Sequence, residues 1–288
     1  MRVLVTGAGG QLGRALLTAV PQGYRCTSLT HTELDITNSA AVDAAMEFRR
    51  PDVIINTAAY TAVDKAETEP ELAYAVNAQG PANLASAAKN RGCRLVHIST
   101  DFVFDGKKSQ PYTPYDPTGP LSVYGASKLQ GEQAMQAAMH GNYLILRTSW
   151  IYAAAGHNFV RTMLKLLDER EQVRVVADQV GAPSWAGSCA QAIWCAVEKG
   201  LDGVHHWTDA GVASWYDFAV AIAEEGAACG LFAKTASIVP ITTAEYPTPA
   251  RRPAYSVLDR GATELALGMR PGHWRSNLRT MLRELRND

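Results

Sequence analysis

This sequence lacks a charge surplus of either sign: 27 lysines and arginines stand against 28 aspartates and glutamates in 288 residues. A net charge of −1 supplies no field for nucleic acid or an anionic membrane, and neither is expected as a partner. Long apolar runs are missing as well, and none approaches the roughly 20 residues that cross a bilayer. No basic region precedes an apolar one at the start, so no signal peptide is expected. Cysteine is scarce. The five, Cys26, Cys93, Cys189, Cys195 and Cys229, are odd in number and form no C-x-x-C pair. That argues for reduced thiols in a cytoplasmic protein rather than disulfides or a zinc site. His97, His157, His205 and His206 show no ligand spacing, and adjacent strand residues such as His205 and His206 face opposite ways. Metal-centred chemistry is not expected. There is no internal repeat and no low-complexity segment.

What is present is a globular composition with 47% apolar residues, enough for one large domain or two unequal ones. The first half alternates short β-rich runs with helical patterns. Strands are predicted at Arg2 to Thr6, Arg25 to Leu29, Val53 to Thr57, Leu95 to Ser99 and Tyr143 to Arg147. Helices are predicted at Gln11 to Val20, Ser39 to Arg49, Glu69 to Asn90 and Ser122 to Met139. Apolar strands alternating with helices predict an α/β fold, a parallel sheet covered on both faces. Ligands of such sheets bind beyond the carboxyl ends of the strands. The second half is less regular. It suggests helices at Phe159 to Asp168, Trp185 to Lys199, Trp215 to Cys229 and Ser276 to Leu285, with strands at Val173 to Val176 and Val204 to Trp207. The proline-rich run from Tyr246 to Pro253 cannot be a helix interior and reads as a ligand-facing loop.

The first strand runs into Gly7-Ala8-Gly9-Gly10-Gln11-Leu12-Gly13, and a helix follows. Glycines there let the backbone turn tightly and approach a pyrophosphate, while the helix N-terminus offers free N–H groups. The position at the first strand–helix junction gives the pattern its weight as a dinucleotide site. A site for NAD usually carries an acid at the end of the second strand. Here that strand ends Ser28-Leu29-Thr30-His31-Thr32, with Glu33 and Asp35 only later. NADPH is therefore expected as cofactor, with NADH as the alternative. Asp35 and Ile36 either flank the adenine, or Asp35 caps the helix that follows.

Tyr124 and Lys128 stand four apart, on one face of a helix. A tyrosine hydroxyl titrates near 10, and a nearby ammonium lowers it. Such a pair suits proton transfer to a carbonyl oxygen during hydride transfer. Upstream, Ser99-Thr100-Asp101-Phe102 ends a predicted strand in hydroxyl groups, and Thr100 is placed to hold a keto oxygen beside Tyr124.

Together these elements resemble the extended short-chain dehydrogenase/reductase superfamily and, within it, the dTDP-4-dehydrorhamnose reductase family. The resemblance rests on Thr6 to Gly13, Asn56 to Glu67, Ser99 to Phe104, Tyr124 to Lys128, Arg147 to Tyr152, Asp178 to Pro183 and the Pro-Arg-Arg-Pro region. It implies a Rossmann-type doubly wound parallel sheet in residues 1–153, with a return of the chain at about 185–210. A smaller α/β substrate-binding domain would occupy mainly 154–288. It further implies that NADPH reduces the C4 keto group of a nucleotide-linked sugar, dTDP-4-dehydro-L-rhamnose. Tyr124 would supply the proton, Lys128 would tune Tyr124, and Thr100 would hold the oxygen. Gly7, Gly10, Gln11, Leu12 and Gly13 would serve the pyrophosphate, and Ala58, Ala59 and Tyr60 would line the cofactor cleft. Asp101, Phe102 and Trp150 would meet the sugar, although core packing suits Trp150 equally. Asn77 either bonds backbone near the active site or caps a helix.

Arg251 and Arg252 are candidates for the substrate diphosphate, since guanidinium forks match phosphate geometry. From Arg251 onward there are eight arginines, no lysine and four acids. Part of that surplus fits an anionic ligand and part a solvated helix face. Some members of the family are metal-bridged dimers, held by carboxylates on the first helix and a later one. No acid occurs in Gln11 to Val20 or Ser184 to Val197. No structural magnesium is expected, and the chain should be a monomer or weak homodimer. Two other assignments remain open: an NAD-dependent epimerase or dehydratase of the same superfamily, and a non-catalytic regulatory subunit like that of methionine adenosyltransferase.

Overall fold

The computed structural model describes residues 1–232 and 235–287. Five strands of the first half, β1 (Arg2–Thr6), β2 (Arg25–Leu29), β3 (Val53–Asn56), β4 (Arg94–Thr100) and β5 (Tyr143–Thr148), join the strand Gly203–His206 in one parallel sheet. The spatial order is Gly203–His206, β5, β4, β3, β1, β2. Leu4, Val5, Ile54 and Ile55 are wholly buried. Their continuous apolar runs, without alternation, follow from helices lying on both faces of the sheet. Burying one such side chain contributes about 1.5–3 kcal/mol. The chain enters at β1, lays β2 on one side and β3 on the other. The winding therefore reverses between β1 and β3, and a crevice opens beyond their carboxyl ends.

One face is covered by α1 (Gln11–Thr18) and the helix Ala186–Glu198, which meet through Leu12, Leu16, Ile193 and Trp194. The Trp194 indole donates to the Leu16 carbonyl at 3.0 Å. The other face carries α2 (Ser39–Arg49) and the helices Gly80–Arg91 and Val123–Ala138, packed through Val42, Met46, Leu84 and Met135. In the second half, strands Gln172–Val176 and Ser237–Ile241 pair in parallel. Helices Phe159–Glu169, Trp215–Ala228 and Trp274–Asn287 pack around Val160, Phe218, Ile222 and Leu278. Among the described residues, no helix is long and apolar enough to cross a membrane.

Several predicted elements differ in form. The single helix expected from Glu69 to Asn90 is three pieces: Pro70–Tyr74, a π-turn at Ala75–Gln79, and Gly80–Arg91. Pro81 has no N–H to give the carbonyl four residues back, that of Asn77, so the α pattern is interrupted there. The strand Ser237–Ile241 and the short helices Val63–Ala66 and Gly261–Leu267 were not anticipated. The run 246–253 lies outside any helix or strand, as its prolines require.

The arginine-rich C-terminus is largely tied down. Arg275 and Arg279 of the terminal helix bond Glu225 at 2.8 and 2.7 Å, and Arg260 pairs with Glu264 at 2.6 Å. Glu264 is already counted among the four acids of that stretch, but Glu225 lies outside it and answers part of the surplus that sequence reading assigned in part to an anionic ligand.

Candidate active site

The glycine loop joins β1 to α1 at the crevice. Gly7 has φ +70°, and a Cβ there would stand 2.6 Å from the Ala58 Cα. A Cβ on Gly13 would stand 2.6 Å from the Gly7 carbonyl oxygen. Both obstacles are backbone, so both positions require glycine. Gly9 and Gly10 are different: their nearest neighbours are 3.7 and 3.3 Å away, which leaves the loop's outer side open to close approach. Gly10 is the N-cap of α1 and offers no side-chain cap. The first-turn amides thus remain available to an anion. This cradle fits the pyrophosphate of a dinucleotide.

The catalytic candidates come from β4 and the helix Val123–Ala138. Ser122 caps that helix by accepting from the Gly125 N–H at 3.2 Å. Gly125 lets it press against the turn after β4, because a side chain there would collide with the Phe102 carbonyl. Tyr124, Thr100, Asp101, Phe102 and Lys128 consequently line one cleft of about 680 Å³ with Gly10, Gln11, Leu12 and Gly13. Ala59, Trp150 and Arg252 line it too. The ring of Phe102 meets that of Tyr124 edge-on, with centroids 5.7 Å apart.

Burial sets the electrostatics. It pushes the Tyr124 hydroxyl up to about 12; the contact with Thr100 opposes this and the Asp101 charge adds to it. Burial likewise raises Asp101 to about 7, against its bonds with Ser256 and Thr100. Lys128 is depressed to about 8 by burial, with Glu132 acting the other way. Its amine bonds the Ile98 carbonyl at 2.7 Å and His97 Nε2 at 3.2 Å. The lysine amine is turned toward β4, and burial holds the Tyr124 hydroxyl above its ordinary value despite the lysine four residues on.

Other expected residues lie elsewhere. Ile36 is in the core, 3% exposed, against Gly80. Asp35 is exposed and accepts from the Thr37 N–H at 2.9 Å; Asn38, not Asp35, caps α2 by accepting from the Ala41 N–H. Ala58 contributes backbone that backs Gly7 rather than cleft surface. The Tyr60 hydroxyl donates to Glu69 at 2.7 Å, and neither Tyr60 nor Gly7 lines the cleft. Arg252 is engaged by Asp64 through two bonds of 2.9 and 2.7 Å and donates to Thr248 and the Ala250 carbonyl. It braces the loop rather than offering a free fork, and Arg251 is exposed and outside the cleft lining. Asn77 caps nothing: its amide bonds the Tyr60 N–H at 2.9 Å and carbonyl at 3.0 Å, and Ser127 at 3.0 Å. At the end of β2, Glu33 folds back to accept from Thr30 N–H and hydroxyl at 2.8 and 2.7 Å. Thr30 itself abuts Gly9. A carboxylate thus does stand at the second strand's end, contrary to the expectation.

Compared with known proteins, residues 1–287 match the family model described as the RmlD substrate binding domain. A dTDP-4-dehydrorhamnose reductase of Aggregatibacter actinomycetemcomitans is 43% identical over 97% of this chain and 98% of its own length. The chain belongs to the dTDP-4-dehydrorhamnose reductase family. Solved structures agree. That of a dTDP-4-dehydrorhamnose reductase from Clostridium acetobutylicum superposes with a TM-score of 0.94 at 40% identity, covering 99% of this chain and all of the other. One from Bacillus anthracis, a complex with NADP, gives 0.93 at 37% identity, covering 98% and 99%.

This reductase fold also uses residues that sequence reading missed. Asn158 caps the helix Phe159–Glu169 and donates to the Gln11 side chain at 2.8 Å, tying the second half to the glycine loop. Trp215 stacks on Trp150, with ring centroids 3.5 Å apart and planes within 5°. Trp150 is half-buried, lines the cleft and has φ +48°, a strained backbone for a bulky residue. Asn158 carries a local signal, an asparagine just before a predicted helix, which marks the cap but not the bond to Gln11; no local pattern marks Trp215, which acts through a partner distant in sequence.

Proposed function

We propose that the chain is an NADPH-dependent reductase that converts the C4 keto group of dTDP-4-dehydro-L-rhamnose to the alcohol of dTDP-L-rhamnose. The observation that carries this reading is a neutral Tyr124 in the same cleft as the Gly9–Gly13 cradle, in a chain whose full-length relatives are reductases of that sugar nucleotide. The backbone of Gly9 to Gly13 holds the diphosphate of the dinucleotide. When bound, that cofactor supplies a hydride to the carbonyl carbon. Tyr124 gives its hydroxyl proton to the carbonyl oxygen and is left as tyrosinate, so that one hydride and one proton complete the two-electron reduction to CH–OH. Thr100 orients that oxygen, and the stacked Trp150 and Trp215 present an apolar wall to the sugar. Residues 1–153 with 185–210 serve the dinucleotide, and 154–288 mainly the substrate. The enzyme acts in the cytoplasm, as a monomer or weak homodimer.

The test is NADPH oxidation by the purified protein, with dTDP-4-dehydro-L-rhamnose generated in situ and NADH run in parallel. Turnover that is faster with NADPH is expected. Bound NADPH without turnover of this substrate would overturn the reading.

A further inference from the structure

The Trp150 ring sits in a slot. Its left-handed backbone is strained, so the surroundings must hold it there. The Ser184 N–H donates to the Trp150 carbonyl at 3.2 Å, and the next two residues, Ile151 and Tyr152, pair with Ser184 and Trp185. One face of the ring is covered by the parallel indole of Trp215, 3.5 Å away. The other is covered by Gly181. A Cβ on Gly181 would stand 2.6 Å from Trp150 Cε2 and 2.8 Å from both Cζ2 and Nε1, the atoms bonded to it. A point in the ring plane beyond Cε2 would lie nearer those two atoms than Cε2 itself. Gly181 therefore lies over a ring face, and on the side away from Trp215, because rings in contact leave no room between them. The two jaws are also fixed to each other. Val180–Gly181 and Ala213–Ser214 form an antiparallel ladder, with Ala213 opposite Gly181. Trp215 follows at once as the first residue of its helix, behind a capping box of Ser214 and Asp217. Phe159 packs on Trp215, with ring centroids 4.7 Å apart.

We propose that Gly181 and Trp215 are positioning residues that grip Trp150 on both faces, so that Trp150 meets the sugar of the substrate with its ring edge, in one fixed orientation. A ring with both faces covered has only its edge to offer, and Trp150 still lines the cleft. A sugar lying flat on the Trp150 indole is thereby excluded. Within the apolar wall of the reductase reading, Trp150 makes the contact and Trp215 acts through it. The ring is ordered before substrate arrives, so binding spends no side-chain entropy on it. Glycine is required at 181 for the same reason, since any side chain there would displace the ring. The sugar contact rests on the reductase reading; the slot does not.

The experiment is a double-mutant cycle on the full chain, with dTDP-4-dehydro-L-rhamnose and NADPH. Trp215→Leu should lower kcat/KM for the sugar nucleotide about tenfold or more, as a displaced contact does, and chiefly through KM. NADPH affinity should not move, and Trp215→Phe, which keeps a flat face, should recover most of the loss. Adding Trp215→Leu to Trp150→Ala should cost little beyond Trp150→Ala alone, because the ring it positions is already gone. Additive losses overturn the proposal, since they place Trp215 against the sugar itself. So does an unchanged KM in Trp215→Leu, or a loss of NADPH affinity equal to that of substrate. If Trp215→Leu does not fold, Gly181→Ala tests the other jaw: substrate KM should rise and NADPH affinity hold, and a wild-type KM overturns the proposal. If the wild type does not turn over this substrate, the reductase reading fails, and the slot is read from fluorine NMR of the free protein labelled with 5-fluorotryptophan. The Trp150 resonance, assigned by its loss in Trp150→Phe, should be single and should shift in Trp215→Leu. Several Trp150 resonances in the wild type, or one that Trp215→Leu leaves in place, overturn the slot.

Discussion

Replacing Asp101 by Asn should stabilise the folded protein, and increasingly so as pH rises. Asp101 is 2% exposed at the end of β4. Its Oδ1 accepts from the Thr100 hydroxyl at 3.1 Å, and this bond and the one with Ser256 do not offset the cost of burying the charge. Burial raises the group to about 7, against about 3.9 in an unfolded chain. Below about pH 4 both states hold the proton, and the group contributes nothing to the pH dependence. Between about 4 and 7 the unfolded chain sheds its proton and the folded one does not, so stability falls as pH rises; above about 7 the penalty is complete. Three units at about 1.4 kcal/mol each bound it at about 4 kcal/mol. Asparagine keeps the shape of the neutral acid and cannot ionise. Urea unfolding of both proteins, without ligand, should show the variant gaining a few kcal/mol over wild type at about pH 8 and little at about pH 4. An equal difference at both values would show that Asp101 is already ionised in the folded protein at low pH. The reasoning would then fail.

Three further outcomes are expected. With its hydroxyl held above the ordinary tyrosine value by burial, Tyr124 carries its proton at neutral pH; Tyr124→Phe should cut kcat by about 10²–10⁴ and leave NADPH affinity, by fluorescence titration, within about threefold. Wild-type turnover would remove Tyr124 as the acid. Glu33→Gln takes a negative charge from Thr30 beside Gly9, so the ratio of NADH to NADPH dissociation constants should rise, and an unchanged ratio would place the 2′-phosphate elsewhere. Gly13→Ala sets a methyl 2.6 Å from the Gly7 carbonyl oxygen and 2.7 Å from the Ala8 Cα; it should cost about 1–3 kcal/mol of stability and weaken NADPH binding, and an unshifted Tm with wild-type affinity would show that the loop gives way.

The alternating first half was legible because its signals are local. Val53, Ile54 and Ile55 are apolar on both faces, and that is readable as a buried strand before any partner is known. The glycine loop is local too, since the need for glycine at Gly7 and Gly13 arises within one strand–turn–helix unit and the β3 end behind it. The break at Ala75–Gln79 was less visible, although Pro81 announced it. A proline inside an otherwise helical pattern can end a helix, kink it or widen one turn. Here the buried Asn77 amide, bonded to Tyr60 and Ser127, goes with the widened turn. Ser237–Ile241 was missed because it pairs with Gln172–Val176, sixty-five positions earlier, so neither strand's sequence marks the other.

Charged side chains were the least legible, and the reason is physical. A residue type fixes what a side chain can bind; its partner is fixed by what the fold brings within about 3 Å. Arg252 and Asp64 lie 188 positions apart, in two runs that each read as distinctive, and they bind each other. Free guanidinium was assigned to a diphosphate because its partner was out of view. Glu33 errs in the opposite direction: only three positions from Thr30, it was discounted as lying past the strand, yet the turn carries its carboxylate back to that strand's end. Lys128 was paired with Tyr124 by helical spacing, while its amine turns to His97 and the Ile98 carbonyl. In each case the chemistry of the group was right and its direction was set by a contact that spacing does not encode. The site is therefore best tested at those contacts, where a change of one hydrogen-bond partner alters proton affinity without altering the cleft.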